Sequence, residues 1–221
     1  MIEWLALILL IPAILVPIVL LFGFAGCNQI LGLDPAIQVV TTFEATLNQE
    51  QQQANRCIVQ RIEQVRLTVD GSGVQIVVQR PTIGMLVINS LFISRVANPP
   101  DMSADKYDSA DDSANPPLTP VLSEPLLLAP DPDKPLVELP APDYKLDSTQ
   151  PLLLAFDIGA DSTVPCSGPN IPGTDAKAYL GPPPPPPPGD PIHEAGIPGR
   201  QSGYSNENRI YLVKRIDALG D

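Results

Sequence analysis

Hydrophobic residues are spread along this chain in two different ways. From Trp4 to Phe24 (WLALILLIPAILVPIVLLFGF) they run without one charged side chain. Beyond Asp34 they come in short bursts, several of them alternating with polar residues. About 20 apolar residues at ~1.5 Å each cross a hydrocarbon core of ~30 Å. The first pattern therefore predicts an N-terminal membrane helix, with residues 1–27 as a hydrophobic signal or anchor and 28–36 as a tether. The second pattern predicts β-strands.

Ile37 to Leu47 (IQVVTTFEATL) is rich in β-branched residues and reads as a strand. Asn48 to Asn55 (NQEQQQAN) is polar and aperiodic, so a loop or turn is expected, with a helix over Glu44–Arg56 as the competitor. Cys57 to Val69 fits either a helical stripe (Ile58, Ile62, Val65, Val69) or a strand entering a hairpin at Asp70-Gly71. The strand is preferred, because Val74-Gln75-Ile76-Val77-Val78 follows the DGSG turn. Met85 to Val96 reads as a longer strand, with Leu86, Ile88, Ser90 and Phe92 on one face and Val87, Leu91 and Ile93 on the other. Leu126–Leu128, Leu136–Leu139, Leu152–Ile158 (LLLAFDI, a buried strand) and Ile210–Ile216 complete the set. In the last, Tyr211, Val213 and Arg215 lie opposite Ile210, Leu212 and Ile216.

Short strands with long turn-rich links and no helix after the anchor predict an all-β fold, an antiparallel β-sandwich over residues 37–219. Its proline-rich loops are expected at 98–151 and 165–200. The second holds seven consecutive prolines, Pro182 to Pro188, which reads as a surface polyproline II rod rising ~3.1 Å per residue.

The N-terminal segment supports three readings. Phe24-Ala25-Gly26-Cys27 resembles a bacterial lipobox, in which cleavage precedes a cysteine that receives a lipid; this makes Cys27 the lipidation candidate. The absence of Lys or Arg before the run and its 21-residue length favour an uncleaved span instead. A hydrophobic arm buried in a larger assembly is the third. The lipobox and the composition place the domain outside the cytoplasm, on a bacterial envelope.

Charge narrows the partners. The net charge is −12, and 19 of the 25 acidic residues lie beyond position 100. A nucleic-acid reader needs a basic surface, so nucleic acid is excluded as a partner. A membrane and a protein or glycan remain.

Candidate chemistry is sparse. The one histidine, His193, lies in a proline/glycine loop, and no nucleophile–base set can be built around it, so no enzyme activity is expected. Asp105, Asp108, Asp111 and Asp112, with Asp101, could supply carboxylate oxygens to calcium. Their spacing lacks the EF-hand ladder, and a solvated acidic loop is the alternative; no other cofactor is implied. Tyr107, Tyr144, Tyr179 and Tyr204 are placed in loops, where Tyr107 and Tyr204 could stack on sugar faces or simply pin the loops down. With Cys27 modified, Cys57 and Cys166 remain and could form a disulfide; two unrelated buried thiols is the other reading.

The order of several segments carries a family resemblance. VQIVVQRPTIGMLVINSLFISRVA, then KYDSADD, then PLVELPAPDYKLDSTQPLLLAFDI, then SGYSNENRIYLVKRIDAL resemble a jelly-roll-like β-sandwich module of phage tail-associated and bacterial surface proteins. The matching positions are Ile93 to Ala97, Tyr107-Asp108, Leu136 to Leu139, Asp147 to Phe156, Gly203-Tyr204 and Leu212 to Ile216. The resemblance implies a binding or accessory role without enzyme activity. The expected function is a non-catalytic, membrane-anchored surface module that binds a glycan or protein. The alternative is a structural or tail-associated protein of a phage or phage-like particle, found in the virion.

Overall fold

Leu152–Ile158 shows best how this sequence builds its fold. All seven residues are buried. Leu152, Leu154, Phe156 and Ile158 face one apolar cluster, while Leu153 and Ala155 face a second on the other side. Period-two alternation sends successive side chains to opposite faces, so a continuous apolar run specifies a strand covered on both.

The computed structural model describes residues 37–96, 119–181, 195–196 and 204–220. The expected N-terminal helix and Cys27 lie outside them. In chain order the described strands are β1 (Gln38–Glu44), β2 (Gln49–Gln52), β3 (Arg56–Ile62), β4 (Gly73–Gln79), β5 (Leu86–Arg95), β6 (Thr119–Pro120) and β7 (Leu126–Leu128). They continue with β8 (Leu136–Ala141), β9 (Leu152–Ile158), β10 (Thr163–Cys166), β11 (Ala176–Leu180), β12 (Ser205–Glu207) and β13 (Val213–Gly220). The helical content among the described residues is one 3-10 turn, Gln64–Arg66.

The strands form antiparallel sheets. A four-stranded sheet runs β1-β13-β4-β8, and a seven-stranded sheet runs β12-β11-β3-β9-β5, with β6 and β7 sharing the far edge of β5. A two-stranded ladder joins β2 to β10. One core cluster draws on both large sheets: Val74, Ile76, Val78 and Ile216 from the first, Ile58, Ile62, Leu154 and Phe156 from the second. The all-β, sandwich-like expectation therefore holds. Burying this shared face is the main favourable term, at roughly 25 cal/mol per Å² of apolar surface.

Several local expectations are corrected. Asn48–Asn55 is not simply loop, since Gln49–Gln52 pairs with Thr163–Cys166. The hairpin across DGSG does not form: β3 pairs with β9 and β11, whereas β4 pairs with β13 and β8 in the other sheet. On β5 the predicted faces break at a register shift between Ile88 and Ser90. The extra residue changes the parity of the strand, so Leu86 and Ile88 and then Leu91 and Ile93 all reach the core, while Phe92 points the other way. A second shift, between Val213 and Arg215, breaks the alternation expected over Ile210–Ile216, and Leu212 takes a positive φ of 62°. The stretch 165–200, expected to be loop, contains the rest of β10 and all of β11, an inner strand of the seven-stranded sheet. Within 98–151 the strands expected at Leu126–Leu128 and Leu136–Leu139 form as β7 and the start of β8, and the two-residue β6 is the addition.

Candidate binding cleft

Thr42 organises one end of the molecule. It is the extra residue of a bulge in β1, since Thr41 pairs with Asp217 and Phe43 with Ile216. Its re-aimed hydroxyl accepts the backbone N–H groups of Thr68 (2.8 Å) and Val69 (3.3 Å). That contact ties the segment after the 3-10 turn to β1. It also brings the Arg66 guanidinium over the Phe43 ring, 5.6 Å from the centroid.

Arg66 then bridges to a distant loop. Its Nη1 donates to Asp175 Oδ2 at 2.9 Å and its Nη2 to the Glu44 carbonyl at 3.3 Å. Asp175 is presented by a turn in which its own N–H donates to the Pro172 carbonyl at 2.8 Å. The same loop is anchored through Ser167, whose N–H donates to the Ile210 carbonyl (2.8 Å) and whose Oγ accepts from Ile210 N–H (2.9 Å). Glu44 is paired in turn with Lys214, whose Nζ lies 3.3 Å from the Glu44 carboxylate and donates to the Ala45 carbonyl at 2.7 Å.

These segments enclose a cleft of about 420 Å³. Its floor is apolar and buried, formed by Ala45, Ala176 and Ile210 with Phe43 beneath Arg66. Its rim is polar, with Asn48, Asn170, Arg66 and Asp175. An apolar floor with a few fixed polar groups, at a volume within the ~300–1,000 Å³ usual for ligand sites, is the general form of a small-ligand pocket. Asn and Asp side chains and the guanidinium offer donors and acceptors in pairs, the pattern that adjacent hydroxyl groups need.

A polar cluster lies near this end. The Tyr211 hydroxyl is 2.6 Å from Glu207 Oε2 and 2.8 Å from Gln51 Oε1. Arg209 Nη1 donates to Gln49 Oε1 (2.8 Å) and to the Ser167 carbonyl (3.0 Å). Gln60 Oε1 accepts the Tyr211 N–H at 2.9 Å. Burial, reinforced by the Glu207 acceptor, raises the Tyr211 phenol far above its ordinary range. Burial also raises the Cys166 thiol, with Arg209 opposing. Both groups keep their protons at neutral pH, which suits a structural joint and not a nucleophile.

The residues singled out from sequence fall as follows. Tyr107 and the aspartates Asp105, Asp108, Asp111 and Asp112 lie outside the described residues, as do Asp101 and His193. Among the described residues no group of three or more His, Cys, Asp or Glu could hold a metal. Cys57 and Cys166 are not bridged here: both are buried thiols outside any disulfide. Cys57 belongs to the cluster on the outward face of the seven-stranded sheet and Cys166 to the inter-sheet core, so the two point into different interiors. Tyr144 and Tyr179 are buried, the latter within β11, and present no ring to solvent. Tyr204 is half-buried and packs on the outward cluster beside Gly181. Among the described residues no helix is long and apolar enough to cross a membrane.

The cleft was not foreseen. Its residues come from 43–48, 66, 167–176 and 210, and the only local signal was polar composition in NQEQQQAN and SGPNIPGTD. No family model matches the chain, and no curated protein sequence matches it.

Proposed function

We propose that this protein is a non-catalytic binding module, held at a bacterial membrane by its N-terminal segment and displayed outside the cytoplasm, whose ligand is a neutral glycan. One observation carries the ligand reading: the cleft of about 420 Å³, with an apolar floor and an amide, guanidinium and carboxylate rim. The floor suits the C–H face of a sugar and the rim its hydroxyls. Arg66 and Asp175 neutralise each other, as do Glu44 and Lys214, so the rim favours an uncharged ligand. The jelly-roll-like resemblance and the run from Trp4 to Phe24 support display at a membrane surface.

The test is binding of the detergent-solubilised full chain to immobilised neutral glycans. A bound glycan should lose at least tenfold in affinity with Asn170→Ala or Arg66→Ala. Absence of any binder, or a binder indifferent to both substitutions, overturns the ligand reading. The mass of the native N-terminal peptide tests the anchor. A peptide starting at a lipidated Cys27 establishes a lipoprotein, and recovery of an intact Met1 in particles of fixed stoichiometry replaces the anchor with a virion role.

A further inference from the structure

The outward face of the seven-stranded sheet is apolar and buried. Cys57 and Val59 of β3, Leu153 and Ala155 of β9 and Tyr179 of β11 are each at most 6% exposed, and Phe92 of β5 packs beside them. A sheet face becomes buried only when a second layer lies over it. Among the described residues of this cluster, only Val96, Ala195 and Tyr204 lie outside those four strands. Three side chains do not make a layer. The burial is that of a single chain, so the layer is a segment of this chain itself.

The segment 182–194 both leaves and re-enters this face. Gly181 N–H donates to the Cys57 carbonyl at 2.8 Å, and Ala195 N–H to the Asp157 carboxylate at 2.9 and 3.0 Å. Cys57 and Asp157 are partners across β3 and β9. The two ends of the segment are therefore held one or two strand spacings apart, about 5–10 Å. Each end also meets an aromatic ring. A Cβ on Gly181 would lie 3.2 Å from the Tyr204 ring, and one on Gly196 3.1 Å from the Phe92 ring.

We propose that this face is a polyproline-binding surface and that its occupant is the chain's own run of seven prolines, 182–188. The length fits. Seven prolines at ~3.1 Å make a rod of ~22 Å, and the seven residues of β9 beneath it span ~24 Å. Six residues, 189–194, reach about 20 Å when extended, enough to come back to Asp157. The chemistry fits as well. Proline rings pack on aromatic rings, and a proline run has carbonyls but no N–H of its own, so the Tyr179 and Tyr204 hydroxyls are matched donors. The other nearby segment, 97–118, carries Asp101, Asp105, Asp108, Asp111 and Asp112, which would bring carboxylates onto an apolar face beside buried Asp157. It also re-enters at Thr119, on the edge of β5 and not over the face. None of the face residues lines the cleft, so this assignment stands apart from the glycan reading.

The experiment uses the full chain in detergent, with residues 182–188 replaced by a glycine–serine run of equal length. Nitration by tetranitromethane, mapped by peptide mass, should reach Tyr179 at least tenfold faster in this variant than in the wild type. Tyr144 and Tyr211, buried in the inter-sheet core, should stay unmodified in both. A synthetic heptaproline peptide at millimolar concentration should slow Tyr179 nitration in the variant again. If Tyr144 and Tyr211 also react, the variant has unfolded, and a benzophenone side chain in place of Tyr179 in the otherwise wild-type chain repeats the test. Light should then join it to the peptide 182–194. Three results overturn the proposal: equal Tyr179 nitration in wild type and a folded variant, no protection by the added peptide, or a cross-link to 97–118 in place of 182–194.

Discussion

The backbone N–H of Ala195 donates to both carboxylate oxygens of Asp157, at 2.9 and 3.0 Å. Asp157 is fully buried on the outward side of β9, where Ser90 Oγ also donates to it at 2.6 Å. A buried carboxylate is tolerated only when such donors replace water, and the donors depend on it in turn. Asp157→Ala leaves both donors without their acceptor and should cost about 2–3 kcal/mol. Urea unfolding would measure this, with Asp157→Asn expected to lose less. An unchanged midpoint for Asp157→Ala would show that the carboxylate does not hold Ala195.

Tyr211 and Cys166 predict the alkaline limb of stability. Both groups have their folded-state pKa raised, chiefly by burial. Above roughly pH 8.5 for the thiol and pH 10 for the phenol, the unfolded chain releases protons that the folded chain keeps. The unfolded state then binds fewer protons, so stability is full below these values and falls as pH rises through them. Tyr211→Phe should lose about 1 kcal/mol at neutral pH, because Glu207 and Gln51 lose a partner, yet decline less steeply above pH ~10. Parallel slopes for the two proteins would contradict the assignment.

Asp70 acts at the other end of the pH scale. Its carboxylate accepts the Ser148 N–H (2.7 Å) and hydroxyl (2.8 Å), which lower its pKa below the usual range. A depressed carboxylate contributes stability above its unfolded pKa, near 4, and loses it as pH falls through the folded value. Asp70→Asn should flatten the stability profile below pH ~4, read by melting temperature against pH.

Gly84 is held at a φ of +72°, and a Cβ there would lie 2.6 Å from Thr163 Oγ1. Gly84→Ala combines a disfavoured backbone conformation with a contact into β10, for an expected loss of about 1–3 kcal/mol. Its side chain would crowd the hydroxyl that accepts from Gln52 Nε2 at 2.7 Å. Amide exchange should therefore accelerate in the β2–β10 ladder more than in β9. Uniform acceleration would place the strain elsewhere.

The sequence alone determined the apolar strands. LLLAFDI, VQIVV and LVEL became β9, β4 and the start of β8 because a strand's side-chain period is local, and burial on one or both faces is written into it. The all-β antiparallel class followed from the same signal. What local period cannot encode is the partner. QEQQ became β2 because its amides find Thr163, Tyr211 and Arg209 far along the chain, and nothing within NQEQQQAN announces that. Whether β3 turns back onto β4 or joins β9 was decided by which pairing buries Ile58 and Ile62 against the other sheet. The bulge after Ile88 was decided similarly, since one extra residue there lets four apolar side chains of β5 reach one core. The cleft belongs wholly to this second kind of information. Arg66 and Asp175 are 109 positions apart and meet only because the sheets bring their loops to one end of the fold.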